Sequence, residues 1–202
     1  MTHDTAADRS PLADRTEVTN VEALKALAHP LRARLLSALR TAGPATATEL
    51  GLRFGESSGA TSYHLRQLAR YGFVVEDEHQ ASRRERRWRA AAAMTSWDAA
   101  DFVGSPAGRA ASDALSDLVL LQQGRRAAQW RARRDAWGRA WLSAAGTTDL
   151  QARLTPDAVR RLHAEVLALA ERLEAQSAGA PDAADVAVFL QAVPIHPEDL
   201  DR

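Results

Sequence analysis

A short string, Gly55-Glu56-Ser57-Ser58-Gly59, matches the G-x-S-x-G pattern in which a serine can act as a nucleophile. Such a serine needs an apolar strand before it, a helix after it, and an acid and a histidine on the loops of a large parallel sheet. The residues before Gly55 instead read TATELGLRF, which is a helical pattern. The sequence therefore predicts that Ser57 caps a helix and that the protein is not an enzyme.

Metal and cofactor chemistry find no support in the sequence. The chain has no cysteine, which excludes disulfides and thiolate metal sites. The histidines show no ligand spacing, and His163 stands alone among potential ligands on its helix. There is no phosphate-binding loop and no paired acid and base. We therefore expect no metal site and no cofactor.

No membrane partner is expected either. No apolar run approaches the roughly 18 residues that a membrane span requires. The first twenty residues lack the apolar stretch of a secretory signal. The sequence predicts a cytoplasmic protein.

Positive charge is concentrated in one part of the chain. The whole chain is neutral, with 26 basic and 26 acidic residues. Residues 21–90, however, hold twelve Lys or Arg against seven Asp or Glu, a net charge of 12 − 7 = +5. A uniformly basic coat is therefore not present, and a local basic surface for nucleic acid is expected within this segment.

Hydrophobic residues at helical spacing predict four helices in this basic segment. The predicted helices begin near Val21, at Pro30, near Thr46 and after Ser57, and the second and fourth end at Gly43 and Gly72. A short helix, a turn that contains a glycine and a longer helix together form a helix-turn-helix arrangement.

After Gly72 the pattern alternates, which predicts two strands at residues 73–77 and 84–89 joined by a polar tip. The apolar faces of these strands are formed by Phe73, Val75, Trp88 and Ala90. Five of the seven residues 83–89 are arginines. We interpret the hairpin as a basic wing beside the helix-turn-helix.

The fourth helix is predicted to have an inner and an outer face. Ala60, Leu65 and Leu68 have the spacing of a core-facing stripe. The outer face consists of Ser58, Gly59, Ser62, Tyr63, Arg66 and Arg70. Small residues let a helix backbone approach the major groove of DNA closely, and hydroxyl groups can bond base edges and phosphates. The outer face is therefore predicted to read DNA.

The rest of the chain is predicted to hold a long helix and a small α/β unit. Residues 106–141 contain no proline after their first residue and place Val119, Trp130, Trp137 and Trp141 on one stripe, beside which a second copy could pack. Alternatively, the tryptophans seat this helix on its own C-terminal domain. An alternating segment at 147–154 and an apolar segment at 185–195 are predicted strands, and Thr155 and Pro156 open a helix between them.

Several of these motifs resemble those of the ArsR-type winged helix-turn-helix transcriptional regulators. ALKALAHPLRARLLSAL is similar to that family's first helix pair, TATELGLRFGESSGATSYHLRQLARYGFV to its helix-turn-helix, and RRERRWRA to the return strand of its wing. The resemblance covers about residues 21–90. It implies double-stranded DNA as the partner and repression in preference to activation.

The resemblance also implies roles for single residues and shows two departures. His64 falls on a frequent histidine of the family, which either faces DNA or packs under the helix as a hydrogen-bonded support. The cysteine pair of metal-sensing members is absent from the helix at 46–53. The C-terminal half resembles that of extended regulators, and the sequence does not say whether it binds a small-molecule effector.

Spacing and resemblance together give the following predictions. The fold is mainly α (α+β), with a disordered tail at 1–18, a winged helix-turn-helix domain at 19–93, and a long dimerisation helix plus a small α/β unit at 94–202. The predicted DNA-binding residues are Ser57, Ser58, Gly59, Thr61, Ser62, Tyr63, His64, Arg66, Arg83, Arg84 and Arg86. The predicted homodimer interface contains Val21, Leu24, Leu27, Trp130, Trp137 and Trp141.

The predicted function is sequence-specific binding of an inverted repeat in promoter DNA by a homodimer. A protein-binding adaptor that keeps the winged-helix scaffold without reading DNA is the alternative. The arginine-rich wing argues against the adaptor.

Overall fold

The computed structural model describes residues 15–78 and 86–195. This part of the chain is mainly helical and contains a winged helix-turn-helix domain and a long helix, as predicted. The elements are β1 (Arg15–Glu17), α1 (Val21–Leu27), α2 (Pro30–Ala42), β2 (Ala45–Thr46), α3 (Ala47–Phe54), α4 (Ser58–Arg70), β3 (Val74–Glu76), β4 (Arg87–Ala90), β5 (Met94–Ser96), α5 (Pro106–Arg133), α6 (Arg139–Ala144) and α7 (Pro156–Ser177). Short 3₁₀ turns occur at Ala99–Phe102 and Arg134–Ala136.

The first four helices begin at residues whose side chains accept a hydrogen bond from a backbone N–H of the first turn. These caps are Asn20, His29, Thr46 and Ser57. Pro30 occupies the first position of α2, where no intrahelical donor is needed. The inner faces of the helices meet in one core, in which Leu24, Leu35, Leu65 and Leu68 are fully buried.

The wing is a three-stranded antiparallel sheet in the order β2-β4-β3. Val74 pairs with Ala90 and Glu76 with Trp88, which confirms the hairpin that the alternation predicts. Val74 is buried and Val75 is only half-buried, so the prediction that Phe73 and Val75 form the apolar face of this strand is wrong for Val75. The reason is that Phe73 precedes the strand and lies in the core itself, which leaves Val74 as the inward position of β3.

Residues 15–18, which the sequence assigns to a disordered tail, are part of the folded structure. β1 pairs in parallel with β5, and Val18 is buried and donates its N–H to Ser96 O at 2.9 Å. The prediction for residues 15–18 is therefore wrong, because their order depends on a strand far along the chain. Residues 1–14 lie outside the described part of the chain.

The predicted domain boundary near residue 93 is also displaced. The described chain divides between Leu121 and Gln122 into two compact units. The first half of α5 belongs to the unit that contains the winged helix-turn-helix, because Ala111 and Leu115 are buried in the same core. In addition, Trp97 Nε1 donates to Ser112 Oγ at 3.2 Å. The first half of α5, which the sequence assigns to a separate C-terminal region, therefore completes the core of the first unit.

The predicted continuous helix from residue 106 to residue 141 is interrupted. α5 ends at Arg133, a 3₁₀ turn follows, and α6 begins after Gly138. The three tryptophans therefore do not share one helical stripe. They pack on each other instead, with ring centroids 5.8 Å apart for Trp130 and Trp137 and 5.6 Å apart for Trp137 and Trp141.

The second unit contains α7 but neither of the two predicted strands among its described residues. Thr155 caps α7 and Pro156 opens it, as predicted. The segments at 147–154 and 185–195 have no regular secondary structure. A strand needs a hydrogen-bonding partner, and neither segment has one within the described chain.

Replacing Gly51 with alanine is expected to lower the free energy of unfolding by about 1–3 kcal/mol. A Cβ at Gly51 would lie 2.8 Å from the backbone oxygen of Glu56, where α3 and α4 approach each other. Gly59→Ala is the control, because a Cβ there would meet nothing within 4 Å. Urea unfolding of both variants checks the difference, and equal stability of Gly51→Ala and wild type would contradict it.

Candidate nucleic-acid interface

The candidate interface is built on the turn between α3 and α4. Thr46 and Glu49 form a capping box, with Thr46 Oγ1 accepting from Glu49 N at 3.1 Å and Glu49 Oε2 accepting from Thr46 N at 2.7 Å. Gly55 ends α3 at φ 72°, a conformation that favours glycine. Ser57 Oγ accepts from Ala60 N at 3.1 Å, so the serine of the G-x-S-x-G string is a helix cap.

The outer face of α4 presents small, hydroxyl and basic side chains. Ser58, Gly59, Tyr63 and Arg66 are exposed, and Ser62 is half-buried. The opposite face carries Leu65 and Leu68, which hold the helix on the core. The structure thus places these predicted residues on one accessible face, and their contact with DNA stays a prediction.

Thr61 does not belong to this face. Its exposure is 0%, and its Oγ1 donates to Ser57 O at 3.0 Å. The prediction that Thr61 binds DNA is therefore wrong. The helical spacing places residue 61 one turn before Leu65, on the inner stripe, and the buried hydroxyl is satisfied by the backbone of the cap.

A polar cleft of about 340 Å³ lies between the outer face of α4 and the wing. Its lining residues are Thr46, Ala47, Thr48, Ser62, Arg66, Arg86 and Trp88. Two arginines and several hydroxyl groups thus converge at the N-terminal end of α3. Helix N-termini and arginines both favour phosphate, so the cleft has the chemistry of a phosphate-binding surface.

The described arginines of the wing differ in their surroundings. Arg86 is more than half exposed, forms an ion pair with Glu76 at 3.2 Å, and lies 5.5 Å from the centre of the Trp88 ring. Arg87 instead donates to Pro44 O and lies 3.3 Å from Glu49 Oε1. Arg86 is therefore available to a ligand, whereas Arg87 fixes β4 to the start of α3.

Glu49 is part of the same local network. The hydrogen bond from the Thr46 backbone, assisted by the charge of Arg87, lowers the pKa of the Glu49 carboxyl below its ordinary value. Arg83 and Arg84, both predicted to bind DNA, lie outside the described residues.

His64 lies on the flank of α4, against the start of α2. Its ring centroid is 4.6 Å from that of His29 and 5.2 Å from that of Tyr63, and its Nδ1 is buried without a hydrogen-bond partner among the described residues. Burial, assisted by the charge of Arg32, lowers the pKa of His64. Of the two roles left open by the sequence, this geometry favours support of the helix from below.

His29 is a residue that the sequence analysis did not single out for this region. Its Nδ1 accepts from Leu31 N at 3.2 Å and so caps α2. Arg32 donates to the backbone oxygens of Ala26 and Lys25, which ties the end of α1 to α2. The His-Pro pair at positions 29 and 30 is the signal for this cap, because a helix opens at Pro30.

Thr48 is the second residue that the sequence analysis missed. It is exposed in the first turn of α3 and lines the cleft. The signal for it is its place at the start of the first helix of a helix-turn-helix, where backbone N–H groups point outward.

Stability is expected to fall below about pH 6.5 because of the two adjacent histidines, His29 and His64. Burial is the main cause that lowers the pKa of His29, and the charges of Arg32 and His64 lower it further. A folded-state pKa below the unfolded value means that the unfolded chain binds more protons as the pH falls. The stabilisation is complete above the ordinary value of 6.5 and is lost as the pH falls through the lowered pKa.

Urea unfolding between about pH 7.5 and about pH 5.5 measures this loss. The variant His29→Asn tests the assignment, because asparagine can still cap α2 but does not titrate. The pH dependence of its free energy of unfolding should therefore be smaller than that of wild type. An unchanged pH dependence in this variant would contradict the assignment.

No group of three or more His, Asp or Glu residues in the described part of the chain could hold a metal ion. None of the described helices is long and apolar enough to cross a membrane.

Comparison with known proteins identifies the same region. Residues 27–77 match a family model described as a helix-turn-helix domain. A search of curated proteins finds no match. Among solved structures, the chain is similar to NMB1585, a MarR family regulator from Neisseria meningitidis, with 18% identity over 75% of this chain and 76% of that chain. At a TM-score of 0.27, that likeness does not establish a shared fold.

Proposed function

We propose that the protein is a transcriptional regulator that binds double-stranded DNA in a sequence-specific manner. The observation that carries this proposal is the outer face of α4, where Ser58, Ser62 and Arg66 are spaced by about one helical turn. Ser62 and Arg66 also line a cleft to which Arg86 contributes. The match of residues 27–77 to a helix-turn-helix family model supports it. We also propose that it acts in the cytoplasm, as the sequence predicts.

In this proposal each part of the interface has its own role. Ser58 and Ser62 contact base edges in the major groove, where hydroxyl groups can donate or accept. Gly59 allows close approach because no side chain projects from it. Arg66 and Arg86 contact phosphates on either side and fix the register of the helix on the duplex.

We further propose that the protein acts as a homodimer on an inverted repeat and represses transcription by occluding a promoter. Two recognition helices can then enter successive major grooves about 34–36 Å apart. The mutually packed Trp130, Trp137 and Trp141 remain the proposed contact with a second copy. Leu24 and Leu27 are removed from the proposed interface because the core of the same chain buries them.

Selection of bound sequences from random DNA at a fixed salt concentration tests the function. Recovery of an inverted repeat supports a dimeric sequence-specific regulator. Recovery of a single half-site would support sequence-specific binding and contradict binding by a symmetric dimer. Recovery of no preferred sequence would contradict the proposal and favour the adaptor.

Replacing Arg86 with alanine is expected to reduce the slope of log affinity against log salt by about one unit. The reason is that one phosphate contact, and the counterion that it displaces, is lost. Arg87→Ala is the matched control, because Arg87 holds Pro44 and Glu49 and its loss should lower stability. Binding titrations at several salt concentrations check the slope, and an unchanged slope for Arg86→Ala would place this arginine outside the interface.

A further inference from the structure

The second unit, described over residues 122–195, has no buried side chain in the single chain. The C-terminal part of the apolar stripe of α7 is exposed, with Leu169 exposed by 46% and Leu173 by 50%. Apolar surface on this scale in an otherwise ordered unit indicates a missing partner. The partner must cover both the helix and the chain after it.

The residues that follow α7 have the composition of a strand that is buried on both faces. The exposed large side chains there are Val186, Val188, Phe189, Leu190, Val193 and Ile195. Residues 184–195 make no backbone–backbone hydrogen bond within the described chain. Pro194 lacks a backbone donor, so a pairing strand would extend over residues 186–193. An apolar strand with unpaired backbone groups is a template for another strand.

The exposed apolar surface could supply a substantial part of a dimer interface. Full burial of an aliphatic side chain contributes about 1.5–3 kcal/mol at about 25 cal/mol per Å², which corresponds to about 60–120 Å² each. Several hundred Å² of apolar surface per copy are therefore offered by residues 186–195, the α7 stripe, and the packed Trp130, Trp137 and Trp141. A standard protein interface needs about 800 Å² per partner.

The charge distribution fits a second copy of the same unit. Residues 122–146 carry six arginines against Asp135, a net charge of 6 − 1 = +5. Residues 147–195 carry four arginines against seven acidic residues, a net charge of 4 − 7 = −3. In a two-fold arrangement, the basic segment of each copy can face the acidic segment of the other. Residues 186–195 carry no charge, so two such segments do not repel each other.

We propose that residues 186–193 of two copies pair as antiparallel strands and that this intersubunit strand pair completes the apolar core of the second unit. The inference rests on the homodimer of the proposed function and specifies where its two copies meet. An antiparallel pair of identical strands has two-fold symmetry by construction. Each copy thereby supplies the hydrogen-bonding partner that the other lacks.

Single cysteines test the pairing, because the chain has no cysteine of its own. Because opposed residues of an antiparallel pair share a face of the sheet, the two-fold axis must pass through a residue that opposes its own counterpart. In a pair centred on Leu190, the two copies of residue 190 come within the range of Cα separations, about 4.4–6.8 Å, that a disulfide can span. Leu190→Cys in the full chain should therefore form a covalent dimer under mild oxidation. Val186→Cys is the matched control, because its counterpart would lie eight residues away along the strand pair, about 26 Å at about 3.3 Å per residue.

A scan of cysteines over residues 186–193 should give one maximum of crosslinking that decreases on both sides. Equal crosslinking at every position would indicate non-specific association and overturn the pairing. A lack of crosslinking at all positions would also overturn it. Pairing of residues 186–193 with residues 147–154 of the same chain is a further contrary outcome, shown by an intrachain disulfide in a double cysteine variant.

A second measurement uses charge in place of crosslinking. Val188→Asp should convert the dimer into a monomer in sedimentation at micromolar concentration. Val103→Asp, a similarly exposed valine in the first unit, should leave the mass unchanged. Retention of the dimer by Val188→Asp would contradict the inference. Selected DNA sequences report on the function independently, so an inverted repeat bound without these crosslinks would overturn the strand pair alone.

Discussion

Replacing Leu65 with alanine is expected to lower the free energy of unfolding by about 2–5 kcal/mol. Leu65 is fully buried on the inner face of α4, so the substitution removes apolar contacts and leaves a cavity beneath the recognition helix. A loss of this size is a large fraction of the stability of a small domain, about 5–15 kcal/mol. Urea unfolding followed by circular dichroism measures it.

Leu52→Ala is the matched control for this prediction. Leu52 lies on α3, in the same helix-turn-helix, but is 82% exposed. Its replacement should change the free energy of unfolding by no more than about 0.5 kcal/mol, as at most surface positions. Equal losses in the two variants would show that the inner face of α4 is not the one that the structure assigns.

Replacing Ser62 with alanine is expected to weaken binding to the selected sequence by about 1–3 kcal/mol. The hydroxyl lies at the middle of the outer face of α4, beside Arg66 and the cleft, where a base edge would be read. Binding to random DNA depends on phosphate contacts and should change little. Titration of both DNAs at one salt concentration gives the two affinities.

Thr61→Val is the control at the neighbouring position. Its hydroxyl is buried and donates to Ser57 O, so its removal should affect stability and leave the preference between specific and random DNA unchanged. If Ser62→Ala weakened binding to both DNAs equally, Ser62 would not read a base. If Thr61→Val altered the preference, the inward orientation of Thr61 would be in doubt.

The local signals in the sequence were sufficient to place the helices of the first unit. Pro30, the Ser57 cap and the alternation after Gly72 predicted α2, α4 and the hairpin, because each signal acts within a few residues. The helical pattern of the residues before Gly55 also identified Ser57 as a helix cap and not as a nucleophile. Thr155 and Pro156 placed α7 in the same way.

Part of the candidate interface also followed from spacing alone. The positions of Ser58, Ser62 and Arg66, one helical turn apart, determined that they would share a face. The predicted inner stripe of Ala60, Leu65 and Leu68 was incomplete, however, because it omitted Thr61. A threonine is compatible with either face of a helix, depending on whether a buried acceptor is present for its hydroxyl group. That acceptor, Ser57 O, became visible only in the folded cap.

Contacts between distant residues were decided by the tertiary structure. β1 is ordered because it pairs with β5, and Arg87 differs from Arg86 because Pro44 and Glu49 lie next to only one of them. The first half of α5 joins the core of the first unit for the same reason, since burial of Leu115 depends on helices far away in sequence. Periodicity states which face of an element is apolar, and it carries no information on which surface will cover that face. The predicted strands of the second unit show this most clearly, because a strand exists only when another strand satisfies its backbone hydrogen bonds.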